Sequence, residues 1–126
     1  MKILSNPHTH SLYCDGKSSI AEMADSARRL GFVSLGMSGH GHQNFDVRFG
    51  MSEENTKRYL ADLAALKAEY AGKMQIWAGV EQDYYAQLNP EDYDYTIGSV
   101  HYVFERDEPE EIRRGESENN PPYAVD

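Results

Sequence analysis

The sequence predicts an α/β protein whose parallel strands form the N-terminal half of a barrel. Segments with strand composition alternate with segments of helical periodicity, and this alternation predicts a parallel sheet, open or closed. Histidine or glutamate residues follow the strands, as expected where a site forms at one end of such a sheet. A complete eightfold barrel takes about 250 residues. This chain has 126, roughly half of that length.

The strands and helices are predicted from residue periodicity and from end signals. We expect four strands, over residues 2–5, 32–37, 74–80 and 95–100. Ser19 and Glu22 form a capping box that opens the first helix, and Gly31 ends it. Ser52 begins the second helix and Gly72 ends it. The expected buried residues are Ile20, Met23, Ala24, Ala27 and Leu30 in the first helix, and Leu60, Leu63, Ala64, Leu66 and Tyr70 in the second.

The last part of the chain has a different composition. Residues 105–126 contain eight acidic and three basic residues, two adjacent prolines and few apolar positions. Taken alone, this composition is typical of a disordered acidic tail. We therefore expect one partial domain over 1–126. Residues 1–104 supply its strand–helix units, and 105–126 form an acidic loop region leading into an absent C-terminal half.

Charge and composition exclude several classes of function. A net charge of −9 disfavours nucleic acid as a partner, because the surface would repel phosphate backbones unless bound cations reversed the local field. No apolar run approaches the length of a membrane span, and the first twenty residues lack the pattern of a secretory signal. Cys14 is the only cysteine. These features predict a cytoplasmic protein without a membrane partner.

Residues of the types that bind metals follow each predicted strand. His8 and His10 follow the first strand, His40 the second, Glu81 the third and His101 the fourth. Because the carboxyl ends of parallel strands meet at one edge, these side chains should lie close together. Imidazole and carboxylate ligands suit zinc, manganese or iron better than thiolate-preferring metals.

The spacing within this set also has a physical meaning. His8 and His10 are two residues apart, so an extended chain directs both rings to one side. There they could share a metal or serve neighbouring ones. Asp15, after a turn-like stretch, could reach the same cluster, and Glu81 could bridge two cations. Each residue alone has a plainer interpretation, such as a surface histidine or a turn aspartate, but together those interpretations require several coincidences of position.

Other polar and aromatic residues are weaker candidates. Cys14 lacks the arginine six positions later that cysteine phosphatases use, since that position is Ile20. His42 is expected to face solvent or the mouth of the site. Three tyrosines could line a pocket, although half-buried tyrosines at strand ends are common. They are Tyr84, Tyr85 and Tyr102.

Four ordered segments resemble the motifs of the PHP (polymerase and histidinol phosphatase) superfamily. They are His-Thr-His-Ser-Leu-Tyr-Cys-Asp-Gly at 8–16, Gly-Met-Ser-Gly-His at 36–40, Gly-Val-Glu-Gln-Asp-Tyr-Tyr at 79–85 and Asp-Tyr-Thr-Ile-Gly-Ser-Val-His at 94–101. The last is typical of the histidinol-phosphatase branch, as are residues 51–57 and 123–126. The resemblance covers nearly the whole chain.

The resemblance implies a distorted (β/α)₇ barrel, similar to a TIM barrel, with up to three clustered metals. It implies that His8 and His10 bind the first metal, that Glu81 bridges it to the second, and that His101 binds the second. Asp15 and His40 would bind the third. A substrate phosphate would lie across the cluster and be attacked by an activated water, without a phosphoenzyme intermediate.

Two features depart from the family pattern. The second motif usually carries aspartate before its histidine, whereas this chain has Gly39; losing a supporting carboxylate could weaken metal binding by about 10- to 100-fold. A later histidine, a C-terminal Asp-x-His pair and basic groups for phosphate are also lacking, so each metal would be short of a ligand.

Three functions are therefore compatible with the sequence. The first is histidinol-phosphatase, which hydrolyses L-histidinol phosphate, a small phosphorylated metabolite, in histidine biosynthesis. The second is another phosphoesterase with a phosphotyrosine or nucleotide substrate. The third is a metal-binding fragment without activity, motivated by Gly39 and the missing ligands.

Overall fold

The computed structural model describes residues 2–102 and the backbone of residues 103, 123 and 124. Its elements, in chain order, are β1 (Ser5–Asn6), α1 (Ile20–Arg29), β2 (Ser34–Met37), α2 (Glu53–Glu69), β3 (Gln75–Asp83), a short 3-10 helix (Pro90–Asp92), β4 (Tyr95–Ser99), β5 (Tyr102–Val103) and β6 (Tyr123–Ala124). The first four strands form one parallel sheet in sequence order, curled as half of a barrel. The predicted fold class is confirmed.

The long strand β3 joins two staggered neighbours. Its first half pairs with β2, and its second half pairs with β4 from Gly79–Tyr95 to Asp83–Ser99. The prediction ended this strand at residue 80, before Glu81, but the strand continues to Asp83 because β4 pairs with it that far, and the segment after β2 also pairs with it at Glu81. The Glu81 amide donates to Gly39 at 3.0 Å, and the Gly41 amide donates to the Glu81 carbonyl at 2.9 Å. Glu81 is therefore held within a ladder.

The predicted helix ends are confirmed. Ser19 and Glu22 exchange both hydrogen bonds of the capping box at the start of α1. Ser52 accepts a hydrogen bond from the amide of Asn55 at the start of α2. Gly31 and Gly72 follow the two helices with φ angles of 81° and 74°, in the left-handed region where glycine carries no Cβ penalty.

The core lies between the two helices and the convex face of the sheet. Two predicted core residues are wrong: Leu30 is 67% exposed and Ala64 is also exposed. Leu30 caps the end of α1, beyond the sheet. The buried face of α2 is formed by Tyr59, Leu63 and Leu66. Ala64 lies outside this face and is therefore exposed. The Tyr59 hydroxyl has a buried partner, because it donates to the Gly79 carbonyl at 2.9 Å.

On the concave face of the sheet, two glycines lie directly against a tyrosine ring. Tyr95 projects from β4 across Gly79 of β3 and Gly36 of β2, and a Cβ at either glycine would overlap the tyrosine side chain. The Tyr95 hydroxyl donates to the Pro7 carbonyl after β1. One ring therefore ties the fourth strand to the segment that precedes His8.

Most of the acidic region lies outside the described residues. Tyr123 and Ala124 form β6, which pairs antiparallel with β5. The predicted boundary at residue 104 and the loop assignment of 105–126 stay predictions. No helix among the described residues is long and apolar enough to cross a membrane.

Replacing Gly79 with alanine should destabilise the fold by roughly 1–3 kcal/mol, because the added methyl group would overpack against the Tyr95 ring. Urea unfolding measures this loss. Gly98→Ala is the matched control, since nothing lies within 4 Å of a Cβ there. Equal losses of stability at the two positions would contradict the close packing of Tyr95 on Gly79.

Candidate metal centre

Four imidazoles converge on the carboxylate of Glu81. His8 Nε2 and His10 Nε2 lie 3.1 Å and 2.9 Å from Glu81 Oε2, and His40 Nδ1 lies 3.5 Å from the same oxygen. His101 Nε2 lies 3.2 Å from Glu81 Oε1. The Glu81 side chain is only 7% exposed. The carboxylate thus presents its two oxygens to different groups of histidines.

The segment after β1 directs His8 and His10 toward Glu81. Thr9 lies between them and faces the other way, where its hydroxyl donates to the Gly36 carbonyl at 2.7 Å. The Thr9 carbonyl accepts from the Ser38 amide at 2.9 Å. Because Thr9 is anchored to the chain around β2, its two neighbours must point into the site. The same-side prediction for the two histidines is confirmed.

A turn brings Asp15 back to the cluster. The amides of Cys14 and Gly16 both donate to the Ser11 carbonyl at 3.0 Å. Asp15 Oδ1 then lies 2.8 Å from His10 Nδ1, and its Oδ2 lies 3.5 Å from His40 Nε2. Asp15 therefore reaches the cluster as predicted. It also orients the His10 ring, because a carboxylate at Nδ1 holds the proton there and leaves Nε2 for a metal.

Asp83 fixes the backbone of His101, a role that the sequence analysis did not identify. Its Oδ2 accepts from the His101 backbone amide at 2.8 Å, and the Ser99 hydroxyl lies 3.2 Å from His101 Nδ1. Asp83 is 3% exposed. The available signal was its spacing: it lies two residues after Glu81 on one strand, and so on the same face of the sheet.

The protonation states differ among the clustered groups. The Cys14 thiol and the Asp15 carboxylate raise the pKa of His10 to about 9, against the opposing effect of burial. Burial lowers the pKa of His40. Burial tends to raise the pKa of Glu81, but the hydrogen bond to His8 and the nearby imidazoles outweigh it and lower that pKa. The lowered pKa of Glu81 favours its anionic form within this cluster.

The donor set fits divalent cations. Three groups have one ligand atom from each residue within 4.8 Å of the others: His8 with His10 and Glu81, His10 with Asp15 and His40, and His40 with Glu81 and His101. The His8 and His10 Nε2 atoms are also 3.1 Å apart. Two ring nitrogens this close to one carboxylate oxygen compete for protons, whereas a cation would satisfy them together. The arrangement therefore defines a candidate centre for several metals.

The structure offers a steric reason for glycine at position 39, where the family usually has aspartate. A Cβ at Gly39 would lie 2.5 Å from the Cys14 sulfur. The thiol thus occupies the space into which an aspartate at this position would begin, and it contacts the Ser11 carbonyl at 3.5 Å. An aspartate could enter only if Cys14 moved.

The remaining candidates have different surroundings. His42 is partly exposed and sits 3.0 Å from the Met51 carbonyl, where its Nδ1 donates and closes the loop after His40. Tyr84 is 74% exposed. Tyr102 is buried and borders a cavity shared with His40 and His101. Tyr85 borders a separate small cavity.

The sequence matches the PHP domain family over residues 6–120, so the chain belongs to this family. It is 29% identical over 111 residues to the "Probable histidinol-phosphatase" of Deinococcus radiodurans, covering 79% of this chain and 43% of that protein. It is 31% identical over 114 residues to the "DNA polymerase/3'-5' exonuclease PolX" of Bacillus subtilis, covering 85% of this chain and 20% of that protein.

A solved structure supports the fold. The crystal structure of the "putative histidinol phosphatase hisK" from Listeria monocytogenes superposes with a TM-score of 0.67 at 21% identity, covering 79% of this chain and 45% of that one. The chain thus spans less than half the length of the proteins it matches here.

Cations should stabilise the folded protein, because they bind the assembled cluster and not the unfolded chain. With manganese or zinc at about 100 times the dissociation constant, the gain should be about 2.7 kcal/mol. Thermal unfolding with cation and with chelator measures it. Glu81→Ala and His8→Ala should lose most of the gain, and the exposed Glu91→Ala should keep it. A transition unaffected by cations would argue against the centre.

Metal affinity should rise with pH. His10 is protonated at neutral pH because its pKa is about 9. A cation at Nε2 must displace that proton, so the apparent association constant should increase about tenfold per pH unit and level off above pH 9. Calorimetry in two buffers of different ionisation enthalpy counts the released proton. Because Cys14 raises the pKa of His10, Cys14→Ala should lower the pH above which the association constant no longer increases. An affinity independent of pH between 7 and 9 would contradict this.

Proposed function

We propose that this chain supplies the metal-binding half of a divalent-metal-dependent phosphoester hydrolase. The proposed reaction is that of a histidinol-phosphatase: L-histidinol phosphate and water give L-histidinol and phosphate. The observation that carries the proposal is the buried Glu81 carboxylate facing four imidazoles in a PHP domain. The proposed ligands are His8, His10, Asp15, His40, Glu81 and His101, holding up to three zinc, manganese or iron ions.

The cations would acidify a water nucleophile and offset charge on the phosphate and its leaving group. The chain's own residues prepare the site for this chemistry. Asp15 holds the Nδ1 side of His10, and the Ser99 hydroxyl lies against the Nδ1 side of His101, so that both rings present Nε2 toward Glu81. Asp83 holds the backbone amide of His101. The Glu81 oxygens face different histidines, as a carboxylate that bridges two cations requires. These orienting contacts reduce the reorganisation needed when cations bind.

A site that binds a phosphate group must supply positive charge, and this protein has few positive groups that are not already paired. The chain carries a net charge of −9. Among the described residues, the Arg48 guanidinium is already paired with Asp46. Bound cations would therefore supply most of the attraction for a phosphomonoester in this part of the protein. A small dianionic substrate suits such a site.

The PolX relative motivates a second candidate, hydrolysis of a nucleotide phosphoester. The acidic charge of the chain weighs against a nucleic-acid backbone as substrate. Phosphotyrosine is a further alternative within the same chemistry, and an inactive metal-binding fragment is the non-enzymatic one. The resemblance of the fourth motif to the histidinol-phosphatase branch, together with the Deinococcus radiodurans relative, favours histidinol phosphate.

The full-length protein with manganese or zinc should release phosphate from L-histidinol phosphate faster than from a phosphotyrosine peptide or an oligonucleotide with a terminal phosphate. A colorimetric phosphate assay makes the comparison. Glu81→Ala should lower kcat at least about 100-fold, because it removes the shared ligand, and Glu91→Ala should not change it. Preference for another substrate would overturn the substrate but leave the chemistry. Metal binding without any phosphate release would favour the inactive fragment.

A further inference from the structure

The turn that carries Asp15 is closed by its own backbone. The Leu12 amide donates to the Ser18 carbonyl at 3.0 Å, which joins the two ends of the turn. A Cβ at Gly16 would overlap the backbone of His10, so the chain doubles back tightly on itself. These contacts give the turn its shape. The position of the turn over the sheet depends in addition on contacts with other elements.

Tyr13, two residues before Asp15, contacts one side of α2. The Tyr13 hydroxyl donates to Asp62 Oδ2, and the Tyr13 carbonyl accepts from Asn55 Nδ2 at 3.3 Å. The Tyr13 ring meets the Tyr59 ring edge-on, with 5.7 Å between the ring centroids. Positions 55, 59 and 62 are four and three residues apart, so they lie on the same side of the helix. The helix therefore holds Tyr13 at its backbone, its ring and its hydroxyl.

The same side of α2 is attached to the strand that carries Glu81. Tyr59 is 0% exposed, and its hydroxyl donates to the Gly79 carbonyl at 2.9 Å. Gly79 lies two residues before Glu81 on β3. One buried tyrosine thus contacts both the ring of Tyr13 and the backbone that precedes Glu81. The distance between the Asp15 and Glu81 carboxylates therefore depends on the contacts of α2.

We propose that Tyr13 is a positioning residue for the metal centre, which anchors the turn to α2 and so holds Asp15 in the cluster. The inference rests on the metal-dependent function proposed above and adds a residue that acts on the centre from outside the set of ligands. Asp15 belongs to only one of the three ligand groups, the one with His10 and His40. A less firmly held turn would weaken this group and leave the two groups that contain Glu81 intact.

The test titrates the full-length protein with manganese by calorimetry and compares the affinities of the successive cations. Tyr13→Phe keeps the ring but removes the hydroxyl, so it should lower the affinity for one cation about tenfold and leave the others unchanged. Asp62→Ala removes the acceptor from an exposed position and should have the same effect. Asp62→Asn keeps an acceptor oxygen and should retain most of the affinity. Tyr70→Phe, at the other end of α2, is the matched control and should change no affinity.

An Asp15→Ala background separates positioning from a general loss of stability. If Tyr13 acts through Asp15, Tyr13→Phe should cause no further loss of cation affinity once position 15 is alanine. A further loss in that background, equal losses for all cations, or unchanged affinities in Tyr13→Phe would overturn the positioning role while the metal centre stands. A wild-type protein that binds no manganese would overturn both the metal centre and this inference.

Discussion

The buried carboxylate of Glu81 is the constraint on which the site depends. An isolated anion at 7% exposure is unfavourable by several kcal/mol unless opposite charge or hydrogen bonds compensate it. In the described chain the compensation comes from histidines, which can be cationic only by taking up protons. The pKa of His10, raised by Cys14 and Asp15, places one such positive charge in the cluster. Divalent cations would supply the same charge without protons, so the cluster that stabilises Glu81 in their absence is also the set of donors that would bind them.

The strands hold this carboxylate in place through backbone pairing and through one aromatic ring. Glu81 is paired with the chain around His40 on one side and with β4 on the other. Below it, Tyr95 lies across a floor that would be blocked by any side chain at Gly36 or Gly79. The Tyr95 hydroxyl reaches the carbonyl just before His8. The proposed ligands from the first and third strands therefore keep a common geometry, although the strands that carry them are not neighbours in the sheet.

The convergence of the six ligand-type residues was predictable because parallel strands end at one edge, a rule that needs only the order of the elements. The fold class and helix ends followed from equally local signals, such as Ser19 with Glu22 and the glycines after each helix. Residues acting across the structure were not predictable this way. Tyr59 and Tyr95 look like ordinary amphipathic tyrosines until their hydroxyl partners are known. Asp83 resembles a solvated strand end, and its role appears only once the chain turns back to place His101 against it.

The loop after His40 contacts the segments that carry two of the proposed metal ligands. The Met51 amide donates to the His40 carbonyl at 3.0 Å, so the loop closes on the backbone of a proposed ligand. At its far side, Asp46 holds the hydroxyl of Tyr102, the residue that follows His101 directly. A change in the loop would therefore displace the backbone of His40 and the Tyr102 side chain beside His101 together. Because one loop contacts both segments, the positions of these two proposed ligands depend on each other.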